Sequence, residues 1–142
     1  MTDEEFLAAF EACTLPPELW THTAHVRAAF LLAREGTWVE ALQAIRSRIQ
    51  AYNAATNTPE AIDRGYHETI TQAFMRLVYA ANLRTGPHAT FEAFCLQHPE
   101  LLEKGALRTY YSRERLMTWE AKRDFFAPDL CPLPLVDIPR DL

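Results

Sequence analysis

The stretch Thr21-His-Thr-Ala-His-Val-Arg-Ala-Ala-Phe-Leu-Leu-Ala-Arg34 predicts a buried helix at the centre of the fold. Between Ala24 and Ala33 it is apolar except for His25 and Arg27. A helix that is apolar around most of its circumference needs neighbours on several sides to keep it from water. The stretch therefore favours a helical bundle built around this segment.

The rest of the chain supplies helical partners. Capping boxes at Thr2–Glu5 and Thr37–Glu40 each begin a helix, and Tyr66–Arg84 carries an apolar stripe at helical spacing. Prolines recur after Phe125 and exclude a regular helix there, so residues 127–142 are predicted to form an extended tail packed on the bundle. Shorter helices are predicted at Thr90–Leu96, Pro99–Lys104 and Ser112–Asp124. We predict one all-α domain over residues 1–142, a single-domain helical bundle of four main helices plus short helices and this tail.

Composition limits the classes of partner. The chain has 142 residues and a net charge of -5, which argues against a nucleic-acid binder with a basic face. It contains no apolar run of membrane-spanning length, and its acidic start lacks the features of a signal peptide. Cys13, Cys95 and Cys131 are widely spaced and odd in number, as in reduced proteins. We therefore expect a cytoplasmic protein without membrane or nucleic-acid partners. The apolar tail leaves a homodimer open.

Three histidines carry the clearest chemical signal. His22 and His25 are three residues apart and share a face of the central helix, and His67 heads the stripe of the Tyr66–Arg84 helix. In an up-down-up-down bundle these two helices run parallel, so all three imidazoles are expected at one end of the core. Helix N-termini disfavour imidazolium and so favour the neutral, ligating form. The pattern predicts a mononuclear metal site with an open position.

This hypothesis assigns roles to the neighbouring polar residues. Glu68 could act as a general base on metal-bound water, as a fourth ligand, or as an acceptor for an imidazole N–H. Arg27, Tyr66 and Thr71 are candidates for holding a small-molecule substrate. One divalent ion is expected. Zinc would serve hydrolysis or group transfer, whereas iron or copper would serve oxidation.

A second polar segment, Tyr110-Tyr-Ser-Arg113, offers further candidates for substrate binding. Tyr110 could line a pocket, and Arg113 could bind a carboxylate or phosphate. The alternative is an aromatic pair packed under a helix start with arginine at the surface. An alternative also stands for the whole site, namely a non-catalytic module that binds a small molecule or a partner protein, with the histidines as hydrogen-bonding groups.

Four segments carry a resemblance to known proteins. They are His22-Thr-Ala-His-Val-Arg27, Tyr66-His-Glu-Thr-Ile-Thr71, Tyr110-Tyr-Ser-Arg113 and Phe126-Ala-Pro-Asp-Leu-Cys-Pro-Leu-Pro134. Together they resemble a family of small bacterial helical proteins, a resemblance that implies the fold and brings no activity with it. The architecture is also broadly similar to the DinB/YfiT-like bundles, which implies a divalent metal held by three histidines. Those bundles place a His-x-x-x-His pair late in the chain, whereas this chain has His-x-x-His early.

Overall fold

The computed structural model describes residues 1–136, and its regular elements are helices. Helix α2 is the centre of the fold, as predicted, and it contacts α1, α3, α4 and α5. All side chains from Ala28 to Ala33 are buried. The α-helices are α1 (Asp3–Glu11), α2 (His22–Ala33), α3 (Trp38–Ala55), α4 (Glu68–Thr85), α5 (Phe91–Gln97), α6 (Arg113–Leu116) and α7 (Trp119–Arg123). Short 3-10 helices span Pro17–Leu19, Pro99–Leu102 and Lys104–Thr109. The all-α bundle predicted from the sequence is confirmed.

Helices α2 and α4 run in the same direction. At their starts, the rings of His22 and Phe74 are 5.0 Å apart, and at their ends Arg34 donates to the carbonyl oxygen of Ala89 at 2.8 Å. Helix α3 runs the opposite way, because Trp38 at its start lies 5.7 Å from the ring of Tyr79 near the end of α4. The starts of α2 and α4 and the end of α3 therefore share one end of the bundle.

Local side chains set the helix starts. Thr2 and Thr37 each form the predicted capping box, and Thr21 caps α2 by accepting from the amide of Ala24 at 3.2 Å. Helix α4 begins two residues later than predicted, because His67 is its N-cap and the first helical residue is Glu68.

The last part of the chain differs from the prediction. The helix expected over Ser112–Asp124 is two short helices, since Met117 leaves the helical region and Thr118 caps a new start at the amide of Ala121. The helix predicted at Pro99–Lys104 is a 3-10 helix that ends at Leu102, and a second one begins at Lys104. In the connection before α4, Ala61 and Arg64 form an isolated bridge.

The described part of the C-terminal tail lies against the bundle. Leu133 and Val136 are buried, whereas Leu130 and Leu135 are exposed. The amide of Leu130 donates to the carbonyl oxygen of Tyr110 at 2.9 Å. Residues 137–142 of the predicted tail lie outside the described residues. Within residues 1–136, no helix has both the length and the apolar character needed to cross a bilayer.

Candidate functional site

Two adjoining cavities lie at the end of the bundle where α2 and α4 begin. The larger, which we call the polar cavity, has a volume of about 500 Å³ and includes His25, Asn53, Asp63 and Thr71 in its lining. The smaller, the apolar cavity, has a volume of about 300 Å³. Both volumes fall in the range of small-molecule sites. The two cavities share part of their lining: His25, Ile49, Ile70 and Thr71.

His67 does not offer a nitrogen to these cavities, although it lines the polar one. Its Nε2 lies 2.8 Å from the carbonyl oxygen of Leu116, and its Nδ1 accepts from the amide of Ile70 at 3.1 Å. These two bonds require a neutral ring with its proton on Nε2. Burial also lowers the pKa of His67, which favours that neutral form. Neither nitrogen has a lone pair left for a metal.

His22 and His25 each have one ring nitrogen engaged by a backbone carbonyl group. The Nε2 of His22 donates to the carbonyl oxygen of Leu101 at 3.2 Å. The Nδ1 of His25 donates to the carbonyl oxygen of Thr21 at 2.8 Å, and its ring lies 3.8 Å from that of Trp20. With Nδ1 protonated, the Nε2 of His25 is an acceptor, and it has no hydrogen-bond partner among residues 1–136. The Nδ1 of His22 is unpartnered in the same way, but His22 lines only the apolar cavity, whereas His25 lines both.

The three histidines lie at one end of the core, but they do not form a ligand set. Within the described part of the chain, no group of three or more His, Cys, Asp or Glu side chains is arranged to hold a metal ion. One reason is that both ring nitrogens of His67 are engaged, by the carbonyl oxygen of Leu116 and by the amide of Ile70. The three imidazoles thus do not form the predicted ligand set in this structure, and the metal ion stays a prediction.

Glu68, the predicted base, lies in a different network. Its Oε2 accepts from Nε of Arg46 at 2.7 Å, and its Oε1 accepts from the hydroxyl of Tyr66 at 2.6 Å. The side chain lines a separate surface depression with Gln50 and Trp119, away from His22 and His25. Oε2 thus joins α3 to the start of α4 and Oε1 holds Tyr66, so both carboxylate oxygens are engaged and the geometry does not support the role of base.

Only some of the predicted substrate-binding residues line the cavities. Tyr66 and Thr71 line the polar cavity. Burial and the adjacent carboxylate of Glu68 raise the pKa of Tyr66, which keeps its phenol protonated. Arg27 lies elsewhere, because it pairs with Asp3 on α1 at 2.9 Å and its guanidinium lies over the ring of Phe6.

The remaining two candidates do not reach the cavities. Tyr110 lines a separate depression beside Leu101 and Pro134, and Arg113 is exposed at the start of α6. The buried ring of this segment is Tyr111, whose hydroxyl donates to the carbonyl oxygen of Phe126 at 2.7 Å. This part of the chain anchors the tail, as in the alternative interpretation of a packed aromatic pair.

Sequence reasoning missed several residues that line the cavities. Trp20 directly precedes the capping residue of α2, and Asn53 lies near the end of α3. The position of Asn53 near the histidines could have been predicted, because a helix α3 that runs antiparallel to α2 and α4 must end where they begin. Lys104, in a 3-10 helix, reaches the apolar cavity without any local pattern that predicts it.

Acid is expected to destabilise the fold through His25. Burial lowers its pKa from 6.5 to about 4, so between these pH values the unfolded chain takes up a proton that the folded protein does not. This pKa difference does not reduce the free energy of unfolding above pH 6.5. The free energy of unfolding falls as the pH decreases from 6.5 to about 4, and the effect of His25 does not grow further below that pH. Allowing for partial exposure, we expect a loss of about 2 kcal/mol.

Urea denaturation as a function of pH measures this effect. The His25→Gln variant is the control, because its side chain is polar but does not titrate. The difference in unfolding free energy between wild type and variant should change across this pH range. A constant difference would show that the pKa of His25 is not lowered in the folded protein.

Comparison with known proteins finds no matching family model, no significantly similar curated protein and no significantly similar solved structure. The resemblance to the family of small bacterial helical proteins therefore stays a prediction. The interpretation of the site rests on its own geometry.

Proposed function

We propose that this protein is a non-catalytic module that binds a small organic molecule in the polar and apolar cavities, without a metal ion. The observation that carries the proposal is the unpartnered Nε2 of His25, which both cavities share. It is a fixed hydrogen-bond acceptor at the junction of a polar and an apolar space. Such a combination suits a ligand with an apolar body and a polar group.

The electrostatics of His25 support binding over acid–base catalysis. A general base is most effective when its pKa lies near the working pH. Burial lowers the pKa of His25 to about 4, so the ring is neutral and weakly basic at neutral pH. A neutral ring with its proton held on Nδ1 by Thr21 accepts a hydrogen bond from an O–H or N–H group of a ligand. The hydroxyl of Thr71, beside it, can donate or accept.

The overall charge supports a small molecule rather than a nucleic acid as the partner. The chain carries a net charge of -5, whereas a surface that binds phosphate backbones is basic. The alternative of a small metalloenzyme requires an ion held by His22, His25 and His67, and neither ring nitrogen of His67 has a lone pair left for it.

A screen by NMR of the ¹⁵N-labelled protein tests the proposal, using a panel of phenols, indoles and primary amides as probes. We expect compounds that bind to shift the ring ¹⁵N signals of His25. The His25→Leu and Thr71→Val substitutions should each raise the dissociation constant of these compounds by about tenfold. Such a change corresponds to the loss of one hydrogen bond at a buried site. Circular dichroism would verify that each variant remains helical.

The matched control is Arg113→Ala, because Arg113 is exposed and lines neither cavity. Binding should be unchanged in this variant. Compounds that bind His25→Leu as tightly as wild type would contradict the proposal. One equivalent of metal in the purified wild type that is lost on mutation of His25 would favour the metalloenzyme instead.

A further inference from the structure

We propose that the apolar cavity binds a medium-chain monocarboxylate, with its alkyl chain inside and its carboxylate at Lys104. This inference goes beyond the proposed function, because it places the charged group of a ligand at Lys104 rather than at His25. The observation behind it is that the lining of the cavity is mostly apolar and contains one charged residue, Lys104.

The wall of the cavity is suited to an alkyl chain. Val26, Ala29, Ile45, Ile49 and Met75 are buried side chains of α2, α3 and α4, and each contributes to the lining. Transfer of apolar groups from water to such a surface is favourable by about 0.8 kcal/mol for each buried methylene. A cavity of about 300 Å³ lies at the lower end of the range for small-molecule sites, so it suits a short chain.

The polar residues of the lining are few. They are His22, His25, Thr71 and Lys104. Burial lowers the pKa of both histidines, so at neutral pH these rings are neutral. Lys104 is therefore the single charged group in the lining. It is exposed, which places it at the mouth of the cavity, and no carboxylate within residues 1–136 forms an ion pair with it.

A single positive charge beside an apolar cavity favours a ligand that carries one negative charge. A monoanion neutralises the ammonium group of Lys104 without leaving a second charge to be desolvated. A phosphate dianion would need further donors, and arginine, which binds phosphate in bidentate fashion, is not part of this lining. An amine would be repelled. A monocarboxylate with an apolar chain satisfies both features.

Isothermal titration calorimetry with octanoate, octan-1-ol and octylamine tests the inference. We expect octanoate to bind most tightly and octylamine most weakly. The Lys104→Gln substitution should raise the dissociation constant of octanoate by about tenfold, because a charge-assisted hydrogen bond is lost. The dissociation constant of octan-1-ol should not change. Arg108→Gln is the matched control, because Arg108 is an exposed cation of the same 3-10 helix and does not line the cavity. The Arg108→Gln variant should bind octanoate as tightly as the wild type does.

The location of the ligand is tested separately by nuclear Overhauser effects between the terminal methyl group of octanoate and the ring of Phe74, which lines the cavity. Their presence is expected, and bound octanoate without them would overturn the inference. Equal binding of octanoate and octan-1-ol, unaffected by Lys104→Gln, would overturn the role of charge. If none of the three probes binds, the inference fails, whereas His25-dependent binding in the NMR screen would still uphold the proposed function.

Discussion

Replacement of His67 by alanine is expected to lower the free energy of unfolding by about 3 kcal/mol. Loss of the N-cap of α4 costs about 1 kcal/mol, because the amide of Ile70 loses its acceptor. The carbonyl oxygen of Leu116, half-buried above the start of α4, loses its donor at the same time, at a further cost of about 1–3 kcal/mol. Urea denaturation at neutral pH measures the total.

The His67→Asn variant separates the two contributions. Asparagine can cap the helix but is too short to reach Leu116 as the imidazole does, so we expect about half of the loss. The experiment also tests the metal hypothesis, because a hydrogen-bonding role predicts the same stability with and without EDTA. Wild-type protein that loses stability in EDTA to the level of His67→Ala would show that His67 binds a metal after all.

Replacement of Thr69 by valine is expected to cost about 3–4 kcal/mol, although the two side chains have nearly the same shape. Thr69 is fully buried in the first turn of α4. Its hydroxyl oxygen lies 2.8 Å from the carbonyl oxygen of Ala121 and 2.9 Å from that of Asp124, and it accepts from the amide of Phe126 at 3.0 Å. Valine would leave at least two of these backbone groups without a partner, each at about 1–3 kcal/mol.

The Thr69→Ser variant is the control, because it keeps the hydroxyl and removes only a methyl group, at a cost of about 1 kcal/mol. Thermal or chemical denaturation compares the two. We also expect amide hydrogen exchange of Phe126 to become faster in the valine variant, since this hydroxyl holds the segment after α7 against α4. A valine variant as stable as the serine variant would show that water or another group replaces the hydroxyl.

The helical framework could be predicted from the sequence because it depends on local chemistry. A helix start needs an acceptor for its first amides, and Thr2, Thr21 and Thr37 provide one within three residues along the chain. The apolar period of 3.6 residues identifies the buried faces. The last helix was predicted incorrectly, because Thr118 had two allowed roles, as an interior residue or as a new N-cap, and the sequence does not choose between them.

The placement of the histidines was partly predictable for the same reason. Rows of residues three and four apart, together with the order of the helices, bring His22, His25 and His67 to one end of the bundle. Their chemical roles were not predictable from this information. A ring nitrogen can bind a metal, a ligand or a carbonyl group, and local spacing is compatible with each of these.

The sequence by itself determined the fold class, the capped helices and the end of the bundle at which the site lies, since these depend on contacts between residues close in the chain. Only the tertiary structure decided that both nitrogens of His67 are engaged, whereas His25 keeps one open and lines both cavities. The acceptors of His22 and His67 are backbone carbonyls of Leu101 and Leu116, distant in the sequence and set free where short helices end. Every residue has a carbonyl group, so no residue type marks these two as partners. Folding brings them to the rings and leaves His25 in the lining of both cavities, with its Nε2 free of hydrogen bonds to residues 1–136.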